Sequence, residues 1–193
     1  MYEGDYSRMR WFKKSFLPKN SQLDILGMGF LSKNGVNKFN KIFSSSYWNY
    51  TSLDIEKGNN IDIVASDIYN IEEIDDNSFD VVVSTKFFEY LRFYWKTFGE
   101  IKRILKPGGY AFIVVSSSVS INRSYEVYNK FKKEDLIKLA EYFDFEVVYV
   151  LVNNNGKTLG LVIRNNPQDG IFKHKLDDLE EKIGYFKTLS KYL

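Results

Sequence analysis

The chain has 193 residues, of which 44% are hydrophobic, a length and composition suited to one domain with a packed core. Its 27 basic and 25 acidic residues leave a net charge of +2, so we expect no nucleic-acid partner. The absence of cysteine excludes disulfides, thiolate metal sites and a cysteine nucleophile.

The apolar segments are also too short for a membrane. Runs such as Ala111–Val115 fall far below the roughly 20 residues that a membrane-spanning helix needs. The N-terminus opens with acidic residues and leads into no apolar stretch, so we expect no signal peptide. No histidines and carboxylates stand at the spacing of metal ligands, so we expect no metal. These features predict a cytoplasmic protein with no membrane span.

An aromatic and basic segment opens the chain, over residues 1–20. It predicts a short helix that ends ahead of Pro18, because the residue before a proline is pushed out of helical geometry. We expect this helix to cover one edge of the core. A lid over a ligand site is the alternative.

Four short apolar strands are predicted next. They span Leu23–Leu26, Asn49–Asp54, Ile61–Ala65 and Phe79–Ser84. The fourth is apolar at nearly every position, as is typical of a strand buried on both faces of a parallel sheet.

The second half of the chain alternates helices and strands. Apolar residues at helical spacing predict a helix from Phe93 to Lys106, which the Pro107-Gly108-Gly109 turn ends. The following elements are a strand at Tyr110–Val115, a helix at Lys133–Phe143 and strands at Phe145–Val152 and Leu159–Arg164. The Asn-Gly pair between the last two strands favours the turn of an antiparallel hairpin.

An amphipathic stripe over residues 171–193 predicts a C-terminal helix. Packing on its own domain is one role for it, and a homodimer contact is the other. The chain shows no internal repeat and no linker, so residues 1–193 are predicted to form a single α/β domain. Its doubly wound, Rossmann-like sheet would be mostly parallel and would carry an antiparallel hairpin at its C-terminal end.

In such a sheet a ligand binds at the carboxyl ends of the strands. Gly27 and Gly29 follow the first strand, where missing side chains let a ligand approach the backbone. Asp54 ends the second strand, where a carboxylate can accept protons from both ribose hydroxyls. Asp67 follows the third strand, where it can accept from an adenine amino group, and Ser84 ends the fourth. Each of these also fits an ordinary turn.

Several motifs then point to one family. The segment Glu100–Gly109 reads EIKRILKPGG, and Asn77–Ser84 reads NSFDVVVS. The segment Ser52–Ile55 reads SLDI, and Glu89 and Tyr90 stand where many members have a Glu-His pair. In these motifs the chain resembles the class I S-adenosylmethionine-dependent methyltransferases, in particular the branch that acts on small molecules.

The resemblance implies the strand order 3-2-1-4-5-7-6 and S-adenosylmethionine as the cofactor. It adds Asp24, Ile55 and Ile68 to the predicted cofactor contacts, and it makes Glu89 and Tyr90 the candidate catalytic residues. The reaction it implies is attack by an acceptor atom on the sulfonium methyl group.

The acceptor is expected over the polar and aromatic loop after the fifth strand, where Arg123, Tyr125 and Tyr128 are the candidate contacts. Relatives with this pattern resemble sugar-modifying enzymes, so the predicted partner is a small-molecule acceptor such as a sugar or a cell-surface glycan precursor. The first loop lacks the family's last glycine, and Tyr90 replaces its histidine. These departures favour an alternative, a catalytically inactive protein of the same fold that serves as a scaffold or partner subunit.

Overall fold

The computed structural model describes residues 3–29, 39–117, 126–153 and 156–165. Within these ranges the helices are α1 (Glu3–Phe16), α2 (Tyr94–Ile104) and α3 (Lys133–Tyr142). The strands are β1 (Leu23–Met28), β2 (Trp48–Asp54), β3 (Ile63–Val64), β4 (Phe79–Thr85), β5 (Leu105–Ser116), β6 (Phe145–Val152) and β7 (Thr158–Asn165). Short turns of 3-10 helix lie at Phe39–Lys41 and Phe88–Tyr90.

The seven strands form one mixed sheet in the order β3-β2-β1-β4-β5-β7-β6. The pairings among β1 to β5 are parallel, whereas β7 runs antiparallel to both of its neighbours. This order and the antiparallel end confirm the predicted fold class. A parallel connection needs a crossover on one face of the sheet. Helix α2 lies in the crossover from β4 to β5, whereas the connections from β2 to β3 and from β3 to β4 contain no helix.

The helices cover both faces of the sheet. On one face, Phe12 and Phe16 of α1 pack with Ile25 of β1 and Phe112 of β5. On the other face, α2 and α3 bury their apolar sides over the alternate residues of the same strands. Every residue of β4 is buried, since both of its faces are covered. The N-terminal segment therefore packs on a face of the sheet, where its aromatic residues close the core.

The start of β5 corrects the sequence prediction. Helix α2 ends at Ile104, and β5 begins at Leu105 and continues through the expected turn. Phe79 pairs with Leu105 and Val81 with Tyr110, so residues 106–109 bulge out of the ladder. The glycines still have local roles, because Gly108 has a positive φ of 79°. A Cβ on Gly109 would lie 2.8 Å from the Asp80 carbonyl oxygen.

The hairpin of β6 and β7 is confirmed by its antiparallel register. Gly156 has a φ of 66°, and its N–H donates to the Asn153 carbonyl at 2.9 Å. The predicted C-terminal helix over residues 171–193 lies outside the described residues, and so does the dimer contact expected of it. No helix in the described ranges is long and apolar enough to cross a membrane.

Candidate functional site

The carboxyl ends of β1, β2 and β4 meet at one edge of the sheet. Met28 registers with Leu53 of β2 and with Ser84 of β4. The N–H of Gly29 extends this pairing, because it donates to the Leu53 carbonyl at 3.0 Å. The structure thus brings the glycine loop, the end of β2 and the end of β4 to the same place.

Asp54 closes β2 at this edge and is only 4% exposed. Its Oδ1 accepts hydrogen bonds from the backbone N–H groups of Ile55 at 2.7 Å and Glu56 at 3.3 Å. The carboxylate therefore fixes the turn that follows its own strand. Ile55 presents a side chain that is 49% exposed beside it.

Asp67 and Ile68 follow β3 at the neighbouring position. Asp67 is exposed, and its Oδ1 accepts from the Tyr69 N–H at 2.8 Å. Ile68 is buried, and its carbonyl accepts from the Thr97 hydroxyl of α2 at 3.0 Å. Helix α2 thereby holds this loop against the core while the Asp67 carboxylate stays accessible.

Ser84 and Thr85 end β4, and their hydroxyls differ in environment. The Ser84 Oγ donates to the Met28 carbonyl at 3.2 Å, so it ties β4 to β1. The Thr85 Oγ1 is buried and has no hydrogen-bond partner among the described residues. The sequence does not single out Thr85, since no local pattern shows whether a hydroxyl has a hydrogen-bond partner.

Glu89 lies just beyond β4, in the short 3-10 helix, and is 4% exposed. Its Oε1 accepts from the Ser116 N–H at the end of β5 at 2.6 Å. Its Oε2 is buried and has no hydrogen-bond partner in the part of the chain described. Burial raises the pKa of this carboxyl, and the Ser116 N–H and the nearby Lys86 oppose the rise. Tyr90 is half-buried next to it.

Helix α1 reaches the same edge through its first turn. The Lys86 ammonium, which follows β4, lies 3.3 Å from the Asp5 carboxylate. Asp5 is 1% exposed and also pairs with Arg8 at 3.2 Å. Helix α1 therefore covers a sheet face along most of its length and meets the site at its N-terminal end.

The ring of Phe87 packs directly on the glycine loop. Gly29 has a φ of 73°, and a Cβ placed on it would lie 2.1 Å from the Phe87 Cγ. Phe87 itself is 7% exposed. Because Gly29 has no side chain, another group can approach its backbone closely. In this structure that group is the ring of Phe87.

Asp24 does not join this edge. It is the second residue of β1, at the amino end of the sheet, where its carboxylate pairs with the Lys106 ammonium at 2.9 Å. Burial alone would raise the pKa of Asp24, but hydrogen bonds from Lys106 and Asn49 outweigh it and lower that pKa. Lys106 also pairs with Asp80 at 2.9 Å. The structure therefore places this predicted cofactor contact in an ion-pair network away from the other candidates.

Tyr128 is the described member of the three candidate acceptor contacts. Its N–H donates to the Glu89 carbonyl at 2.9 Å, and its side chain is 40% exposed. The Arg92 guanidinium lies 4.8 Å from the Tyr128 ring centroid, and the Tyr128 hydroxyl donates to Glu126 at 2.8 Å. Arg123 and Tyr125 lie outside the described residues.

The residues at the carboxyl edge fit a nucleotide-like cofactor. Two carboxylates follow adjacent strands, and two buried oxygens, Thr85 Oγ1 and Glu89 Oε2, have no protein partner among the residues described. Buried polar atoms without partners are rare in folded proteins and favour a site where a ligand completes them. Within the same ranges, no group of His, Cys, Asp and Glu is arranged to hold a metal ion.

This sheet, with its site at the carboxyl edge, defines a Rossmann-like α/β domain of the doubly wound class. Residues 34–113 match the family model described as a methyltransferase domain. In this match and in its strand order the chain is similar to the class I S-adenosylmethionine-dependent methyltransferases. A search of curated proteins gives no significant match.

Solved structures share this fold at low identity. A methyltransferase from Bacillus halodurans matches with a TM-score of 0.62 and 14% identity, over 81% of this chain and 97% of that chain. The 1,6-didemethyltoxoflavin-N1-methyltransferase of Burkholderia thailandensis, solved with S-adenosylhomocysteine, matches with a TM-score of 0.61 and 15% identity, over 86% and 91%. The CurJ carbon methyltransferase matches with a TM-score of 0.59 and 14% identity over 78% of this chain, which spans 50% of that one.

Proposed function

We propose that the protein transfers a methyl group from S-adenosylmethionine to a small-molecule acceptor in the cytoplasm, and that the acceptor is a sugar or a cell-surface glycan precursor. The observation that carries the proposal is the buried carboxylate of Glu89, whose Oε2 has no partner among the described residues. This carboxylate lies at the sheet edge where the fold class binds its ligand.

Three groups of residues are proposed to hold the cofactor, and Ser84 is proposed to support them. Asp54 would accept from the ribose hydroxyls, with Ile55 beside it, and Asp67 with Ile68 would border the adenine. Gly27, which the structure places inside β1 rather than after it, and Gly29, which follows that strand, would lie near the methionine part. Ser84 would act indirectly, because its hydroxyl fixes β4 against β1.

The cofactor supplies a methyl group already activated on a sulfonium, so the protein's part is to bind, to orient and to exclude water. An oxygen acceptor must also lose a proton. Glu89 suits that role, because burial raises the pKa of its carboxyl toward the range in which a general base works. Tyr90 is proposed to help position the acceptor at the same turn.

The acceptor side of the proposal rests on Tyr128 and its neighbours. The exposed Tyr128 ring, the Arg92 guanidinium and the Glu126 carboxylate form a surface of one aromatic face and several hydrogen-bonding groups. Sugars are bound by such combinations, since their C–H faces pack on rings and their hydroxyls need donors and acceptors. We propose that Arg123 and Tyr125 extend this surface.

A second candidate function is favoured by the Phe87 ring. The ring fills the space against Gly29 that a cofactor's methionine end would use in the first proposal. If the Phe87 ring keeps this position, the cofactor has no room there. The protein would then be a non-catalytic partner subunit of the same fold.

Calorimetric titration of the purified, cofactor-free chain with S-adenosylhomocysteine separates the two candidates. Micromolar binding that is lost in Asp54→Ala supports methyl transfer and justifies a screen of sugar acceptors with radiolabelled methyl donor. No binding by the wild type, with binding gained by Phe87→Ala, supports the partner subunit. No binding by either protein contradicts the proposed site.

A further inference from the structure

A groove of about 450 Å³ lies outside the site described above, between α1 and the 3-10 helix at Phe39–Lys41. It is lined by Tyr6, Arg10, Lys13, Lys14, Lys41 and Ile42. Tyr6 and Lys14 are eight residues apart on α1, so the groove runs about 12 Å along that helix.

The groove concentrates positive charge in a chain that is nearly neutral overall, at +2. Arg10, Lys14 and Lys41 are exposed, and none of them forms an ion pair with another described residue. No carboxylate belongs to the described lining. By contrast, Arg8 on the same helix pairs with Asp5. The three cations therefore face a common space without a protein anion to balance them.

Lys13, the fourth basic residue of the groove, joins its two walls. The Lys13 ammonium donates to the Ile42 carbonyl and lies 4.8 Å from the Trp48 ring centroid. It thus joins α1 to the 3-10 segment and fixes the width of the groove. Tyr6 stacks on Phe39 with ring centroids 5.4 Å apart and forms a rigid aromatic end.

That aromatic end adjoins the cofactor edge. Tyr6 follows Asp5, whose carboxylate pairs with Lys86 directly after β4. A molecule with a charged end in the groove would therefore extend past the first turn of α1 toward the ends of the strands.

We propose that this groove binds the phosphate groups of the acceptor, which is then a phosphate-bearing small molecule such as a nucleoside diphosphate derivative. Arg10 supplies a planar fork that matches phosphate oxygens, and Lys14 and Lys41 add point charges on either wall. The link to the acceptor rests on the proposed methyl transfer, whereas phosphate binding itself does not.

The test uses inorganic pyrophosphate as the probe, titrated calorimetrically into the full chain without cofactor. We expect saturable binding that weakens about tenfold in the double variant Arg10→Gln/Lys14→Gln. The matched control is Lys133→Gln/Lys138→Gln, which removes two exposed charges from α3 and should leave the affinity within about twofold. The proposal is overturned if the wild type does not bind pyrophosphate, or if the two double variants lose affinity for it equally.

Two further titrations separate the sources of phosphate. Uridine diphosphate should bind at least as tightly as pyrophosphate and compete with it. Tighter binding of a short single-stranded RNA, with a steep salt dependence, would assign the groove to nucleic acid and overturn the small-molecule proposal. Titration with S-adenosylhomocysteine on the same samples tests the methyl-transfer site separately, so the two proposals can fail independently.

Discussion

The ring of Phe87 rests on the Cα of Gly29, so closely that a single added methyl group would lie 2.1 Å from the ring. The two residues are 58 positions apart in sequence, and their contact packs the ring that follows β4 against the residue that follows β1. Gly29 is thus constrained twice, by its φ of 73° and by its neighbour.

Gly29→Ala is expected to lower the free energy of unfolding by about 2 to 4 kcal/mol, which combines left-handed strain with overpacking. Gly156→Ala is the matched control, because Gly156 has a φ of 66° but nothing within 4 Å of an added Cβ. Gly156→Ala should lower the free energy of unfolding only by the backbone strain, about 1 to 2 kcal/mol. Chemical denaturation of both variants measures the difference. Equal losses would show that Phe87 moves aside without cost.

Asp54→Ala should abolish binding of S-adenosylhomocysteine and cost about 1 kcal/mol of stability, because Ile55 and Glu56 lose their acceptor. Asp54→Asn keeps an acceptor for the turn, so it should restore most of the stability and little of the affinity. Asp75→Asn, a change at an exposed loop carboxylate, is the control. Calorimetry and thermal denaturation give the two readouts. Full affinity in Asp54→Ala would place the ribose elsewhere.

Glu89→Gln is expected to change how stability depends on pH. Burial raises the folded-state pKa of Glu89, so its favourable contribution is full below the unfolded pKa of about 4.3 and is lost as pH rises through the folded value. Relative to the variant, the wild type should lose about 1.4 kcal/mol for each pH unit between the two pKa values. Denaturant unfolding from acidic to neutral pH measures this difference.

The glutamine at position 89 keeps an acceptor for the Ser116 N–H, so the comparison isolates the charge. Glu141→Gln, on the exposed side of α3, is the control and should run parallel to the wild type. A constant offset between wild type and Glu89→Gln at every pH would show that Glu89 titrates normally. In an active preparation, Glu89→Gln should also lower kcat for an oxygen acceptor while leaving cofactor affinity unchanged.

Lys106→Met should destabilise the protein by about 1 to 2 kcal/mol, because Asp24 and Asp80 lose their shared cation. Asp80 has a nearly buried side chain, so its unpaired carboxylate carries most of the cost. Lys133→Met, at an exposed position on α3, should fall within about 0.5 kcal/mol of the wild type. Equal effects of the two variants, measured by denaturation, would show that the network adds nothing to stability.

The fold was predictable from sequence because its signals are local. The apolar run of β4 and the Asn-Gly turn before β7 each appear within a few residues, and the strand order follows from the family resemblance. The predicted beginning of β5 was wrong, because Pro107 and the glycines after it normally end a helix or strand. Here β5 pairs with β4 both before and after these residues, which bulge out of the strand. Only the pairing of β5 with Phe79 and Val81 reveals this.

The candidate site was predictable only in part. The position of Asp54 follows from where its strand ends, but Asp24 was assigned through a motif spacing that the register places at the other end of β1. The contact of Phe87 with Gly29 joins distant parts of the chain. The Thr85 hydroxyl is buried and has no hydrogen-bond partner among the described residues. No sequence pattern records such contacts, since they depend on how side chains pack after the sheet has formed.

Strand β7 is made after β6 but lies between β6 and β5, with seven of its eight residues buried. A chain growing from the ribosome therefore has β5 complete and β6 complete while the slot between them is still empty. Until residue 165 has emerged, β5 is an open strand edge flanked by apolar surface, the kind of edge that pairs with other chains. Premature termination inside the hairpin should thus yield aggregates, because β5 then keeps its open edge.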